Sequence, residues 1–84
     1  MAYVASVPLD HGSPIPAYAQ LAEILRSKIK AGEWRHGPLP SVRQLQQEYD
    51  VGRDTATRAL SILAAEGLVF SVPRRGYYVH QDVK

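Results

Sequence analysis

The sequence predicts a winged helix-turn-helix domain, mostly α in an α+β arrangement, with three helices and a C-terminal two-stranded β-hairpin. Two observations support this fold class. Residues 41–66 contain two helical patterns joined by a tight turn, and residues 68–80 contain two β-rich runs around a short polar tip. We expect a flexible arm at residues 1–14, the folded domain at residues 15–80 and a tail at residues 81–84.

The composition excludes several classes of protein. The chain has 84 residues and no cysteine, which allows one small domain and excludes disulfides, a thiolate nucleophile and a cysteine zinc site. No apolar run approaches the ~20 residues of a membrane span, and the N-terminal residues do not resemble a signal peptide. We therefore expect a cytoplasmic protein. The net charge of +2 favours anionic partners only weakly.

The first helix is predicted over residues 17–31. Pro16 suits the first turn, apolar residues recur at helical spacing from Tyr18 to Ile29, and Gly32 is expected to end the helix. Its last turns carry three cations, which either form a solvated helix end or contact phosphates: Arg26, Lys28 and Lys30.

The helix-turn-helix is predicted from capping and spacing. Ser41 and Gln44 form a capping-box pattern, and Asp50 and Gly52 tolerate unusual backbone conformations in the turn. The following helix, residues 53–66, has one apolar face. The opposite face is polar, and a helix of this kind suits a DNA major groove. It carries Arg53, Asp54, Thr55, Thr57 and Arg58.

The C-terminal hairpin is predicted from strands at residues 68–72 and 76–80, with two arginines at its tip. Folding does not require exposed arginines there, so we interpret the hairpin as a wing that contacts phosphates or the minor groove. Tyr77 and Tyr78 point to opposite faces of their strand, and we expect one in the core and the other exposed.

Six stretches of the chain together resemble the DNA-binding domain of the GntR family of bacterial transcription regulators. They are AYAQLA at residues 17–22, IKAGE at 29–33, LPSVRQL at 39–45, VGRDTA at 51–56, ALSIL with EGLV within 59–69, and RGYYV at 75–79. None is specific alone, but their order and spacing resemble the family over about three quarters of the chain.

The resemblance implies a dimer on a palindromic operator, with the recognition helix, residues 53–66, in the major groove. It places the wing, residues 73–76, at the minor groove or backbone. In the family, the position of Arg43 contacts phosphate and that of Arg53 reads a base or a phosphate. The candidate DNA-binding residues are Ser41, Arg43, Arg53, Asp54, Thr55, Thr57, Arg58, Arg74, Arg75 and Gly76.

Three departures from the family pattern concern the operator sequence rather than the fold. Asp54 replaces a threonine and is able to accept from a cytosine amine. A second family arginine aligns with Thr57, while Arg58 lies one residue, about 100°, further around the helix and is expected to point towards the DNA backbone. Arg74 replaces a wing glycine, which adds charge and strains the turn.

We therefore expect a sequence-specific DNA-binding transcription regulator that binds double-stranded DNA as a homodimer. We favour a repressor over an activator. The alternative is a winged helix used for protein–protein contacts. An enzyme is not expected, since His11, His36 and His80 lack metal-ligand spacing and no catalytic constellation is present. We expect no cofactor and no metal. The resemblance also implies that no effector binds within these residues, because members of the family usually bind effectors in a further C-terminal domain.

Overall fold

A computed structural model describes Leu9 and residues 12–80 of the chain. Three helices are followed by an antiparallel hairpin, which confirms the predicted fold class. Helix α3 packs against both other helices and the first strand, and therefore lies at the centre of the domain. The elements are α1 (Ala17–Lys30), α2 (Val42–Tyr49), α3 (Arg53–Ala65), β1 (Val69–Val72) and β2 (Gly76–Val79).

One hydrophobic core joins all five elements. Each helix contributes the apolar side chains that its spacing places on one face. Leu9, inside the predicted arm, is also buried in this core. Most of residues 1–14 and the tail lie outside the described residues, so the arm and tail boundaries remain predictions. The buried helix residues are Leu21, Ala22, Leu25, Ile29, Leu45, Tyr49, Ala56, Ala59, Leu60 and Leu63.

The helix ends follow the predicted caps. The Gln44 N–H donates to the Ser41 hydroxyl oxygen at 3.1 Å, and the Ser41 N–H donates to the Gln44 side-chain oxygen at 2.8 Å, which completes the capping box. Helices α1 and α3 both end in Schellman motifs, with Gly32 and Gly67 at positive φ angles of 98° and 80°. Helix α3 ends at Ala65, one residue earlier than predicted.

The turn between α2 and α3 depends on Asp50 and not on Gly52. Asp50 has a left-handed backbone with φ of 55°, as predicted. Gly52 precedes α3 with φ of −77°, which any residue adopts, and an added Cβ would meet no atom within 4 Å. The turn therefore makes no use of the conformational freedom that glycine offers at position 52.

The wing is joined to the segment that leads into α2. Within the wing, Val69 pairs with Val79 and Val72 pairs with Gly76. The Leu39 N–H donates to the Tyr77 carbonyl at 2.9 Å, and Pro38 forms a bridge with Tyr78. The segment before α2 therefore adds an isolated bridge to the edge of the two-stranded hairpin, which ties the wing to the helix-turn-helix.

The two wing tyrosines differ less than the sequence predicts. Tyr77 is partly buried against the core. Tyr78 faces the other side of the hairpin, where its ring stacks on Phe70 with a centroid distance of 6.1 Å. Neither side chain is fully buried or fully exposed, so the expectation of one core and one exposed tyrosine is wrong.

Two of the three cations at the end of α1 have carboxylate partners within the chain. Arg26 forms a hydrogen-bonded ion pair with Glu66 at 2.7 Å and also contacts Glu23, while Lys28 lies 3.8 Å from Glu33. The hydrogen bond to Glu66 raises the pKa of the Arg26 guanidinium, and the same bond lowers the pKa of the Glu66 carboxyl. The Arg26–Glu66 pair links α1 to the end of α3.

We expect the Glu66→Gln variant to lower the free energy of unfolding at pH 7 by at most about 1 kcal/mol, because the pair is partly exposed. The folded-state pKa of Glu66 lies below its unfolded value. Its contribution is therefore present above the unfolded pKa and is lost as the pH falls through the folded-state pKa. Urea unfolding at pH 7 and pH 3 measures this difference. The exposed Glu48→Gln variant is the control, and equal effects of the two variants would contradict the expectation.

Candidate nucleic-acid interface

The polar face of α3 is open to solvent. Ala56, Ala59, Leu60 and Leu63 hold the opposite face in the core. Among the predicted reading residues, Thr55 is half-buried, and no other described part of the chain covers the remainder. The exposed members are Arg53, Asp54, Thr57 and Arg58. A projecting helix face with these donors and acceptors fits the width of a DNA major groove.

Helices α2 and α3 form a shallow groove between their exposed surfaces. The groove brings Arg43 of α2 together with Arg53 of α3, and Val42, Gln46 and Gln47 complete its lining. Sequence reasoning missed the two glutamines. The signal was present, because they follow Arg43 by three and four residues and therefore share its face of the helix.

The predicted site residue Ser41 has a structural function. Its hydroxyl oxygen accepts the cap hydrogen bond, and its backbone N–H donates to Gln44. The hydroxyl hydrogen remains a donor, so capping leaves Ser41 able to contact a phosphate. The cap also fixes the first turn of α2, on which Arg43 is exposed.

The two arginines of α3 lie on opposite flanks of its exposed face. Arg53 borders the groove with α2. The Arg58 guanidinium carbon lies 4.5 Å from the centre of the Tyr18 ring, at the start of α1. Five residues correspond to about 140° around a helix, which accounts for the two directions. No local pattern predicts this contact, because it joins distant parts of the chain.

The wing tip has a strained backbone. The Arg75 N–H donates to the Val72 carbonyl at 3.0 Å, which closes a turn around Pro73 and Arg74. Arg74 has a φ of 67°, a region that costs a residue with a Cβ about 1–2 kcal/mol. Arg74, Arg75 and Gly76 are all exposed. The strain predicted for Arg74 is therefore present. The same residue adds an exposed guanidinium to the wing tip.

We expect the Arg74→Gly variant to stabilise the fold and weaken DNA binding. Glycine adopts the positive φ without strain, so the free energy of unfolding should rise by up to about 1 kcal/mol. The lost cation should weaken binding to every DNA sequence alike. Thermal unfolding and titration of a labelled duplex measure the two effects. Arg74→Asn is the control, because asparagine tolerates the backbone but lacks the charge; an Arg74→Gly variant with unchanged binding would contradict the assignment.

Positive charge is concentrated in the candidate residues. The ten residues include five arginines and one aspartate, a net charge of +4, whereas the whole chain carries +2. Within residues 12–80 and Leu9, no three histidine or acidic side chains are grouped as metal ligands would be. None of the helices described here is long and apolar enough to cross a bilayer.

The exposed Arg- and Thr-bearing helix and the arginine-tipped hairpin together define a winged helix-turn-helix of the class that binds nucleic acid. The model of the family "Bacterial regulatory proteins, gntR family" matches residues 7–79. The chain therefore belongs to the GntR family, which confirms the resemblance seen in the sequence.

Named relatives and solved structures agree with this membership. The HTH-type transcriptional repressor NagR of Bacillus subtilis is 43% identical over 72 residues, and the match spans 84% of this chain but only 30% of NagR. The crystal structure of the AraR DNA-binding domain with operator ORE1 matches with 32% identity and a TM-score of 0.75, covering 87% of this chain and 90% of that chain. YtrA from Sulfolobus acidocaldarius matches with 32% identity and a TM-score of 0.80, covering 94% and 84%.

Proposed function

We propose that this chain is the DNA-binding part of a transcription regulator and that it binds an operator sequence in double-stranded DNA. The observation that carries the proposal is the solvent-exposed polar face of α3. Arg53 is its first residue, and the opposite face of the helix packs in the core. The operator-bound AraR domain, of which this chain covers 90%, supports the same partner. The name of NagR favours repression over activation. Binding to operator DNA in a bacterial cell is consistent with a cytoplasmic location, which we include in the proposal.

The recognition helix enters the major groove in this proposal. Arg53 and Asp54 contact base edges, since guanidinium pairs with guanine and carboxylate accepts from cytosine. Thr57 is exposed beside them and contacts a base edge or a phosphate. Half-buried Thr55 is limited to the neighbouring backbone.

Phosphate contacts position the helix from two sides. Arg43 and Ser41, at the start of α2, bind the backbone beside the groove that Arg43 shares with Arg53. The wing residues Arg74, Arg75 and Gly76 approach the minor groove or the adjacent phosphates. Contacts of this kind fix the register and carry no direct sequence information.

A palindromic site and a homodimer follow if two copies bind one operator. Their recognition helices would then lie about 34 Å apart, one turn of DNA. Among the described residues, the large hydrophobic side chains that are exposed are Ile15 and Phe70, which is little apolar surface for a dimer interface, so we expect DNA to bring the two copies together. Binding by the separate domain should therefore be weak and sensitive to salt.

Selection of bound sites from a random duplex pool tests the proposal. We expect enrichment of a palindrome, which would identify target and stoichiometry together. A pool with no enriched sequence would overturn sequence-specific binding. Titration of a random duplex at low salt provides the second measurement. The absence of any binding there would favour the alternative, a winged helix that contacts proteins.

A further inference from the structure

We propose that Tyr18 is a positioning residue for Arg58, and that the pair binds a backbone phosphate of the DNA on the α1 side of the recognition helix. The inference rests on the proposed function and deepens it. It assigns a ligand, a phosphodiester oxygen, to an arginine that departs from the family pattern. It also assigns a function to an aromatic residue outside the helix-turn-helix.

The contact between Arg58 and Tyr18 is the starting observation. The guanidinium carbon lies 4.5 Å from the ring centre, within the range of an attractive cation–π contact. Arg58 is otherwise exposed, and an exposed arginine samples many rotamers. The Tyr18 ring is half-buried in the first turns of α1, and α1 packs directly on α3. The ring therefore holds the mobile arginine against a rigid part of the fold.

The stack also determines which part of Arg58 remains able to bind. A ring over one face of the guanidinium leaves its N–H edge uncovered, and that edge carries the donors that match phosphate oxygens in a bidentate pair. Within the described residues, no carboxylate pairs with Arg58. This distinguishes it from Arg26, whose guanidinium is already occupied by Glu66 and Glu23.

The direction of the side chain favours the backbone over the bases. Arg53 lies on the α2 flank of the exposed face, and Arg58 is drawn to the α1 flank, about 140° away around the helix. A helix inserted in the major groove has a sugar–phosphate strand beyond each flank. Arg58 is therefore directed at one of these strands, and its contact should not depend on sequence.

The test compares Tyr18→Leu, Tyr18→Phe, Arg58→Gln and the double variant Tyr18→Leu/Arg58→Gln. Each binds two duplexes, the selected operator and a random sequence, over a series of KCl concentrations. We expect Arg58→Gln to reduce the slope of log K against log salt by about 0.9, the value for one phosphate. Tyr18→Leu should weaken both duplexes about two- to fivefold, and Tyr18→Phe should bind as the parent does. The double variant should bind as Arg58→Gln alone.

A spectroscopic measurement separates positioning from a general effect on folding. A ring over the guanidinium shifts the Arg58 side-chain N–H resonance upfield. We expect this shift in the parent chain and in Tyr18→Phe, with and without DNA, and its loss in Tyr18→Leu. If Tyr18→Leu does not fold, the shift in the parent chain and the salt slope of Arg58→Gln decide the proposal.

Several results would overturn the inference. An Arg58→Gln variant with the parent's salt slope, or with altered preference at one base, would exclude the phosphate contact. A Tyr18→Phe variant as weak as Tyr18→Leu would show that the hydroxyl binds DNA directly. Equal effects of Tyr18→Leu with and without Arg58 would exclude positioning. In each case the parent chain still binds DNA, whereas failure of the parent to bind either duplex would overturn the proposed function itself.

Discussion

Replacing Arg53 with alanine is expected to weaken binding to the selected operator by about 1–3 kcal/mol and to relax the preference at one base position. The reason is geometric, because Arg53 is exposed at the first position of α3, where the recognition helix of this fold class meets base edges. The variant should retain the stability of the parent, since the side chain makes no buried contact. Titration of the operator and of single-base variants measures both effects.

Arg43→Ala is the matched control for Arg53. Both arginines line the same groove, but Arg43 projects from α2 and is assigned to phosphate. We expect its loss to weaken all sequences alike and to reduce the salt slope by about one unit. Unchanged operator binding by Arg53→Ala would mean that α3 is wrongly assigned as the recognition helix. If Arg43→Ala alone relaxed the base preference, Arg43 would be the residue that contacts a base and Arg53 the one that contacts a phosphate.

The parts of the fold that depend on local chemistry were predictable from the sequence. The capping box joins Ser41 to Gln44, and the left-handed Asp50 bonds back to Gln46. Each of these features therefore involves residues no more than four positions apart. The spacing of Leu60 and Leu63 likewise follows from the period of a single helix. Local patterns also located the wing tip, and the comparison with the family's wing glycine predicted the strain at Arg74.

The contacts that the sequence did not predict join distant residues. Arg26 and Glu66 are 40 residues apart, and the pairing of Leu39 with Tyr77 spans a similar distance. No local period encodes such contacts, because they depend on how the helices pack. The same limit applies to the candidate site. Its arginines were found individually, but the stacking of Arg58 on an α1 ring required the packed structure.

Replacing Leu60 with alanine is expected to lower the free energy of unfolding by about 2–5 kcal/mol, the largest stability effect we expect in this chain. Leu60 is fully buried, with a relative exposure of 0%, in the helix that contacts α1, α2 and β1. Its removal leaves a cavity at the centre of the domain. A domain of this size has a total stability of only about 4–13 kcal/mol, so the variant should be partly unfolded at 37 °C. Urea unfolding at 25 °C measures the change.

The neighbouring residue provides the control, because Ser61 is exposed on the opposite face of α3 and Ser61→Ala should change stability by less than about 0.5 kcal/mol. Operator binding distinguishes a residue that stabilises the fold, such as Leu60, from a residue that contacts the bases, such as Arg53. Leu60→Ala should recover binding when excess operator shifts the equilibrium towards the folded state, since DNA binds only that state. Arg53→Ala should not recover its base preference under any condition. A Leu60→Ala variant as stable as Ser61→Ala would contradict the central position of α3, on which the presentation of its polar face depends.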